Sequence, residues 1–249
     1  MQPCPGRVFP NDTLNRCMRP LRLSFLLALA WMPSVLSAQA RLPTGAQALD
    51  PASGRVVYEE RRSALYSDAR MIQSDLVCLS DQGQVSGRIN LDLSGEYAEM
   101  EWTDANGDHL HLSRSGSRWR ARYQSEQRRS EVRWPRLRAD DLIEDDLLAF
   151  LQSHVDDLKD LKDLKQQNLN KLVVVRAPDL RRQSFEVQVS MLDAQRLDIR
   201  LQDQGWFSDS QADMRIIMRS DGRLLSYQGP PTCPLPEGAP SRVDVQYLY

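Results

Sequence analysis

The chain has 249 residues, 41% of them hydrophobic and 27% charged, with a formal net charge of −2. With only 12 Gly and 14 Pro, this composition excludes a collagen-like or wholly disordered chain, and the near-neutral balance argues against a dedicated nucleic-acid binder. Only four of the 32 basic residues are Lys.

Residues 1–40 read as a secretory signal peptide. Arg19 and Arg22 precede the apolar run Leu23 to Met32, and Ala38-Gln39-Ala40 supplies the small residues of a cleavage site. The run is about half the length that a membrane-spanning helix needs. The stretch before it, with Cys4, Pro5 and Pro10, is unlike the start of a leader, which leaves Met1 and Met18 as alternative translation starts. Cys17 precedes the apolar run, the wrong side for lipid attachment. Cleavage after Ala40 removes four arginines and Asp12 and leaves 28 basic and 33 acidic residues, a net charge of −5, on one domain of residues 41–249.

Export to the periplasm would place the remaining cysteines, Cys78 and Cys233, in an oxidising compartment, where they are expected to form a disulfide closing a 155-residue loop. The alternative is two separate thiols, with Cys78 a small core residue.

From Arg55 to Gln124 the dominant period is two. Ile89, Leu91 and Leu93 alternate with Arg88, Asn90 and Asp92; Met100 and Trp102 with Glu99 and Glu101; Trp119, Ala121 and Tyr123 with Arg118, Arg120 and Arg122. These are strands with one apolar and one charged face, and Asp81-Gln82-Gly83, Ser94-Gly95, Asn106-Gly107 and Ser115-Gly116-Ser117 are their turns. The segment reads as an antiparallel meander.

Between Ala139 and Asn170 there is no Gly or Pro, and Leu147, Leu151, Val155 and Leu158 recur at helical spacing. One amphipathic helix over about 139–168 is predicted, with Asp140, Asp141, Glu144, Asp145 and Asp146 towards its start and Lys159, Lys162 and Lys165 towards its end, as the helix dipole favours. The threefold Asp-Leu-Lys repeat from Asp157 to Lys165 reads as a solvated helix end.

The period then returns to two. Phe185, Val187, Val189 and Met191 form one stripe and Leu197, Ile199 and Leu201 another; Asp221-Gly222 makes a turn, and Val243, Val245, Tyr247 and Tyr249 share a face at the end. About a dozen strands and one helix make a mainly β fold. The expected architecture is a strongly curved antiparallel sheet or open barrel with the helix on its concave face. Such an interior can hold an apolar ligand or be filled by Trp102, Trp119, Trp134 and Trp206.

Gly54-Arg55-Val56-Val57-Tyr58-Glu59-Glu60, the hairpin Asp81-Gln82-Gly83-Gln84, and Asp221 to Gly229 followed by Val243-Asp244-Val245-Gln246-Tyr247 resemble a group of uncharacterised exported β-rich proteins of Gram-negative bacteria. The resemblance implies export and a β-rich fold but no activity. Pro230-Pro231-Thr232-Cys233 departs from the pattern, so it gives no family-wide role to the disulfide. The architecture is also similar in kind to the lipoprotein-carrier half-barrels of the periplasm, a likeness of fold alone.

Chemistry-bearing motifs are few. His109 and His111 share one strand face but lack further ligands at recognisable spacing, and His154 stands alone, so no metal or other cofactor is expected. No nucleophile elbow, phosphate-binding loop or His-Glu-Xaa-Xaa-His helix occurs. Glu59 and Glu60 point to opposite strand faces, and Asp140 and Asp141 are accounted for by the helix start. The arginines Arg118, Arg120 and Arg122, followed by Arg128, Arg129, Arg133, Arg136 and Arg138, could bind anionic groups, or could simply pair across strands with Glu99 and Glu101.

The sequence thus points to an exported periplasmic binding module, non-catalytic, for an apolar or lipid-like ligand, or to an envelope component with peripheral association; no nucleic-acid partner is expected. One alternative is a small outer-membrane β-barrel, suggested by the aromatic terminal strand and opposed by strands that mostly run six to eight residues where about 9 to 11 are needed, and by the amphipathic helix in mid-chain. A further alternative is an enzyme whose site carries no familiar motif.

Overall fold

The computed structural model describes residues 42–67, 70–94, 97–116, 118–125, 129–133, 137, 141–159, 171–177, 180–205, 212–236 and 238–249. The expected leader, Asp140, the Asp-Leu-Lys repeat beyond Lys159, Trp134, Trp206, Arg128, Arg136 and Arg138 lie outside these residues, as do the side chains of Arg118, Arg129, Arg133 and Asp145.

The protein is mainly β. The first eight strands are β1 Gly45–Leu49, β2 Val56–Ser67, β3 Arg70–Ser80, β4 Val85–Asp92, β5 Tyr97–Asp104, β6 His109–Ser115, β7 Arg118–Gln124 and β8 Arg129–Arg133. After the short β9, Leu142–Ile143, come two helices, α1 Glu144–Ser153 and α2 Val155–Lys159. Six more strands follow: β10 Lys171–Arg176, β11 Arg181–Asp193, β12 Arg196–Asp203, β13 Met214–Arg219, β14 Leu224–Gly229 and β15 Val243–Leu248.

All 15 strands join one sheet in the order β8 through β1, then β15 down to β9. Two meanders therefore run outward from a central β1–β15 pair, antiparallel throughout except where β9 lies parallel to β10. Among the described residues no pairing joins β8 to β9, so the sheet is open.

The period-two pattern sets the faces. Ile89, Leu91, Met100, Trp102, Leu110, Leu112, Trp119 and Ala121 are buried, whereas Arg88, Glu99, Glu101, Arg120 and Arg122 are exposed. Register aligns the apolar side chains into rows: Leu91, Met100, Leu112 and Ala121 lie opposite one another across four strands. In the other meander Ile199, Ile216, Tyr227 and Val245 form an equivalent row. The same apolar core takes in Leu147, Leu148, Leu151 and Leu158 of the helices.

Several sequence expectations need correction. Among the described residues the sheet has 15 strands rather than about a dozen, and three of them, β2, β3 and β11, at 12, 11 and 13 residues, are longer than the six to eight expected of most strands. The helix starts at Glu144, not near 139, and is interrupted at His154. There the Ser153 hydroxyl donates to Phe150 O at 2.8 Å, His154 Nδ1 lies 2.9 Å from the same carbonyl, and the His154 and Phe150 rings meet at 4.2 Å. Side-chain bonds to helix carbonyls bend or end a helix without Gly or Pro. Asp141 precedes β9 and is gripped by Arg182 through two 2.7 Å bonds, so its burial has nothing to do with a helix start. Met191 and Tyr249, expected on buried stripes, are exposed.

Candidate functional site

The inner face of β2 begins with Tyr58 and continues two residues at a time through Glu60, Arg62, Ala64 and Tyr66. Tyr58, Glu60 and Arg62 are all buried, so a charged pair sits on the parity that carries the apolar core. Their neighbours across β1 are small: Ala48 lies opposite Tyr58 and Ala46 opposite Glu60. On the far side of β1, Ala46 faces Tyr247 and Ala48 faces Val245. Two alanines of β1 therefore stand between Tyr58 and Glu60 on one side and Val245 and Tyr247 on the other.

A strap of residues 230–236 and 238–242 crosses this region. Gly229 and Val243 are register partners, so a tight turn would have joined β14 to β15. Instead the chain crosses to β3, where Cys233 is disulfide-bonded to Cys78, a residue opposite Glu60. Pro234 then seats on Gly87 of β4; a Cβ at position 87 would lie 2.8 Å from Pro234 Cγ, so only glycine admits the strap this closely. Both cysteines are buried, which shields the bridge from exchange.

The strap is tied to the polar cluster by a closed relay. The Thr232 backbone N–H donates to Tyr58 Oη at 3.3 Å, the two hydroxyls are 3.0 Å apart, and Thr232 Oγ1 donates to Glu60 Oε1 at 2.6 Å. Tyr227 donates to Pro230 O at 2.8 Å, and Arg176 of β10 reaches Pro231 O at 3.4 Å while binding Glu144 Oε2 of α1 at 3.1 Å. At the helix's other end, Gln152 Nε2 donates to Gly222 O in the β13–β14 turn at 3.0 Å.

Electrostatically the cluster is a set of neutral phenols between two ion pairs. Burial pushes the Tyr58, Tyr227 and Tyr247 phenols well above their ordinary value, helped by Glu60 at Tyr58 and Tyr247 and by Glu144 at Tyr227. The two pairs differ in quality. Arg176 meets Glu144 at hydrogen-bond distance, but Arg62 Nη2 is 3.7 Å from Glu60 Oε2, and Arg62 Nε, buried, has no partner among the described residues. Gln183 Oε1, on the inner face of β11, is likewise buried without a partner.

A hydroxyl donating to a carboxylate is the geometry of a nucleophile and its base, so Thr232 and Glu60 invite a catalytic reading. The Thr232 oxygen, however, is committed to Glu60 on one side and Tyr58 on the other. The arrangement works as a tether.

The residues singled out from sequence are dispersed. Cys78 and Cys233 fix the strap. His109 lies opposite Thr103 and Gln124, and His111 opposite Glu101 and Arg122. Among the described residues no three His, Cys, Asp or Glu side chains come together to hold a metal. Asp108 accepts the Tyr123 hydroxyl at 2.6 Å, which pushes that phenol up to about 12. In the arginine ladder β6 lies between β7 and β5, placing Ser113 opposite both Arg120 and Glu99 and His111 opposite both Arg122 and Glu101. Glu59 is turned away from the cluster and accepts Gln47 Nε2, while Glu60 is turned in. Arg62, Tyr227 and Tyr247 were not sequence candidates for any site, although Arg62 shares the buried parity of Tyr58.

No protein-family model matches the chain, and no curated protein matches it. Among solved structures it is similar to a beta-barrel-like protein of a domain of unknown function, DUF1849, from Brucella abortus, with 8% identity and a TM-score of 0.45 over 84% of this chain and 97% of that one.

Proposed function

We propose that the protein is an exported periplasmic binding module, non-catalytic, whose curved sheet carries the helix on its concave face and takes an apolar or lipid-like ligand. The observation that supports this most is the Tyr58–Glu60–Arg62 run on a buried face made mostly of apolar side chains. Filling a core is done more cheaply by apolar residues of similar volume, since burying an ion pair costs desolvation that mutual attraction seldom recovers. A few polar groups in an apolar surround are what orient a ligand. The disulfide is compatible with an exported location, because such bridges persist in oxidising compartments.

Native mass spectrometry of protein purified from its own envelope tests the reading. A co-purifying lipid-like mass is the expected result; a clean apo mass that takes up no acyl compound on incubation overturns it. Release by osmotic shock is expected, rather than retention with detergent-extracted membranes. An outer-membrane barrel must present its apolar side chains to lipid. Here the exposed side carries Arg88, Glu99, Glu101, Arg120 and Arg122, which weighs against that alternative.

A further inference from the structure

The binding reading leaves open what kind of polar end the ligand carries, and the corner around Arg62 narrows it. The Arg62 side chain is only 3% exposed, its Nε is without a partner among the described residues, and its carboxylate neighbour stands off at 3.7 Å. A buried donor left unmade costs the full desolvation of that group, so the position favours an incoming acceptor. Tyr247, half-buried, lies across Ala46 from Glu60 in the strand register, on the parity of the inner face.

The charge of the incoming group follows from what is already there. Glu60 faces Arg62, and Glu144 faces Arg176, so each guanidinium has its own carboxylate. A further anion would enter a low-dielectric region with no cation to itself and with Glu60 beside it. An uncharged acceptor meets the vacant N–H without that cost.

We propose that Arg62 Nε, with the Tyr247 hydroxyl, seats the carbonyl oxygen of an acyl ester or amide, whose hydrocarbon chain runs along the apolar rows of the inner face. This rests on the apolar-ligand reading above and specifies its ligand class.

The test uses the full oxidised chain and three probes delivered from cyclodextrin: methyl laurate, laurate and dodecane, with binding followed by isothermal titration and native mass spectrometry. Methyl laurate is expected to bind at least about tenfold tighter than dodecane, the scale of one hydrogen bond to a charged group, and tighter than laurate. Arg62→Gln and Tyr247→Phe should each narrow the difference in affinity between the ester and the alkane. Tyr247→Phe removes one hydroxyl and keeps the ring, so it serves even if the Arg62 variant folds poorly. Equal affinity for ester and dodecane would overturn the carbonyl seat while leaving apolar binding in place. Laurate binding tighter than the ester would overturn the argument for an uncharged acceptor. Binding of none of the three would defeat the apolar-ligand reading itself and this inference with it.

Discussion

Two buried carboxylates sit on opposite faces of the same sheet and are treated in opposite ways. Asp198, on the outer face of β12, is 1% exposed because two guanidiniums fold over it: Arg215 Nε and Nη2 reach it at 2.9 and 3.0 Å, and Arg200 Nη2 and Nε at 3.0 and 3.3 Å. Glu60, on the inner face of β2, has one short bond, from Thr232, and a guanidinium held at 3.7 Å. The outer carboxylate has more donors than it needs, and the inner guanidinium has fewer acceptors than it can use. Saturated charge clusters rigidify a surface, whereas an unsatisfied donor inside a core is a cost that a bound group can remove. The difference places the unsatisfied donor on the inside of the sheet.

The largest expected effect separates the two clusters by their dependence on the strap. Replacing Cys78 and Cys233 with Ser should lower stability by about 2–5 kcal/mol, since the bridge closes a 155-residue loop. Denaturant midpoints of the wild type and double variant, with the slope checked for constancy, measure it. Because Thr232 is next to Cys233, tyrosine fluorescence of the folded variant should change, while an Asp198→Asn substitution should cost the same with or without the bridge. Non-additivity between the disulfide and Asp198 would break the separation.

Next comes the inner pair itself. Arg62→Met leaves Glu60 buried beside an apolar chain and should cost about 3 kcal/mol; adding Glu60→Gln should restore much of that, because the lone charge is what destabilises. A double variant as unstable as the sum of both singles would show no coupling between the two charges, so that a stranded Glu60 is not what destabilises the single variant, and the contrast with Asp198 would weaken. These charges were partly legible in the sequence. Strand alternation located the meanders, and the cysteine pair was named from its compartment, but Glu60 was considered only beside Glu59. Counting in twos from Tyr58 would have put Glu60 and Arg62 on the apolar parity, where a charge is the informative exception. The strap was out of reach, because a Pro-rich connection between adjacent strands reads as an exposed loop, and only the Cys78 bond and Gly87 reveal that it turns inward. The break at His154 was equally hidden, since it comes from side chains competing for Phe150 O.

The two faces should also divide the pH profile between them. The bonds from Arg215, then Arg200, hold the Asp198 carboxyl below the usual range. Its contribution is therefore present above its unfolded value near 3.8 and is lost as pH falls through the lower folded value. The inner phenols behave in reverse. Tyr58, Tyr227 and Tyr247 are raised by burial, so their contribution is full below the unfolded value near 10 and is lost as pH rises towards the folded values. Denaturation across pH should show an acid limb that Asp198→Asn flattens and an alkaline limb that Asp198→Asn does not touch. Phenolate absorbance that rises for Tyr58 and Tyr227 before the protein unfolds would contradict their burial.

The smallest effect tests whether the outer cluster is truly saturated. Arg215 supplies two bonds at 3.0 Å or less and Arg200 only one, yet both side chains are well exposed, 40% and 53%, so solvent screens much of what each provides. Arg215→Ala should cost about 1 kcal/mol and Arg200→Ala about 0.5 kcal/mol in chemical denaturation, because each leaves Asp198 with the other guanidinium. Removing both should cost more than the sum, since only then is the carboxylate stranded with 1% of its side chain exposed. Simple additivity would show that the two arginines do not substitute for one another. Asp198 would then be no better supplied than Glu60, and the contrast between the faces would reduce to exposure alone.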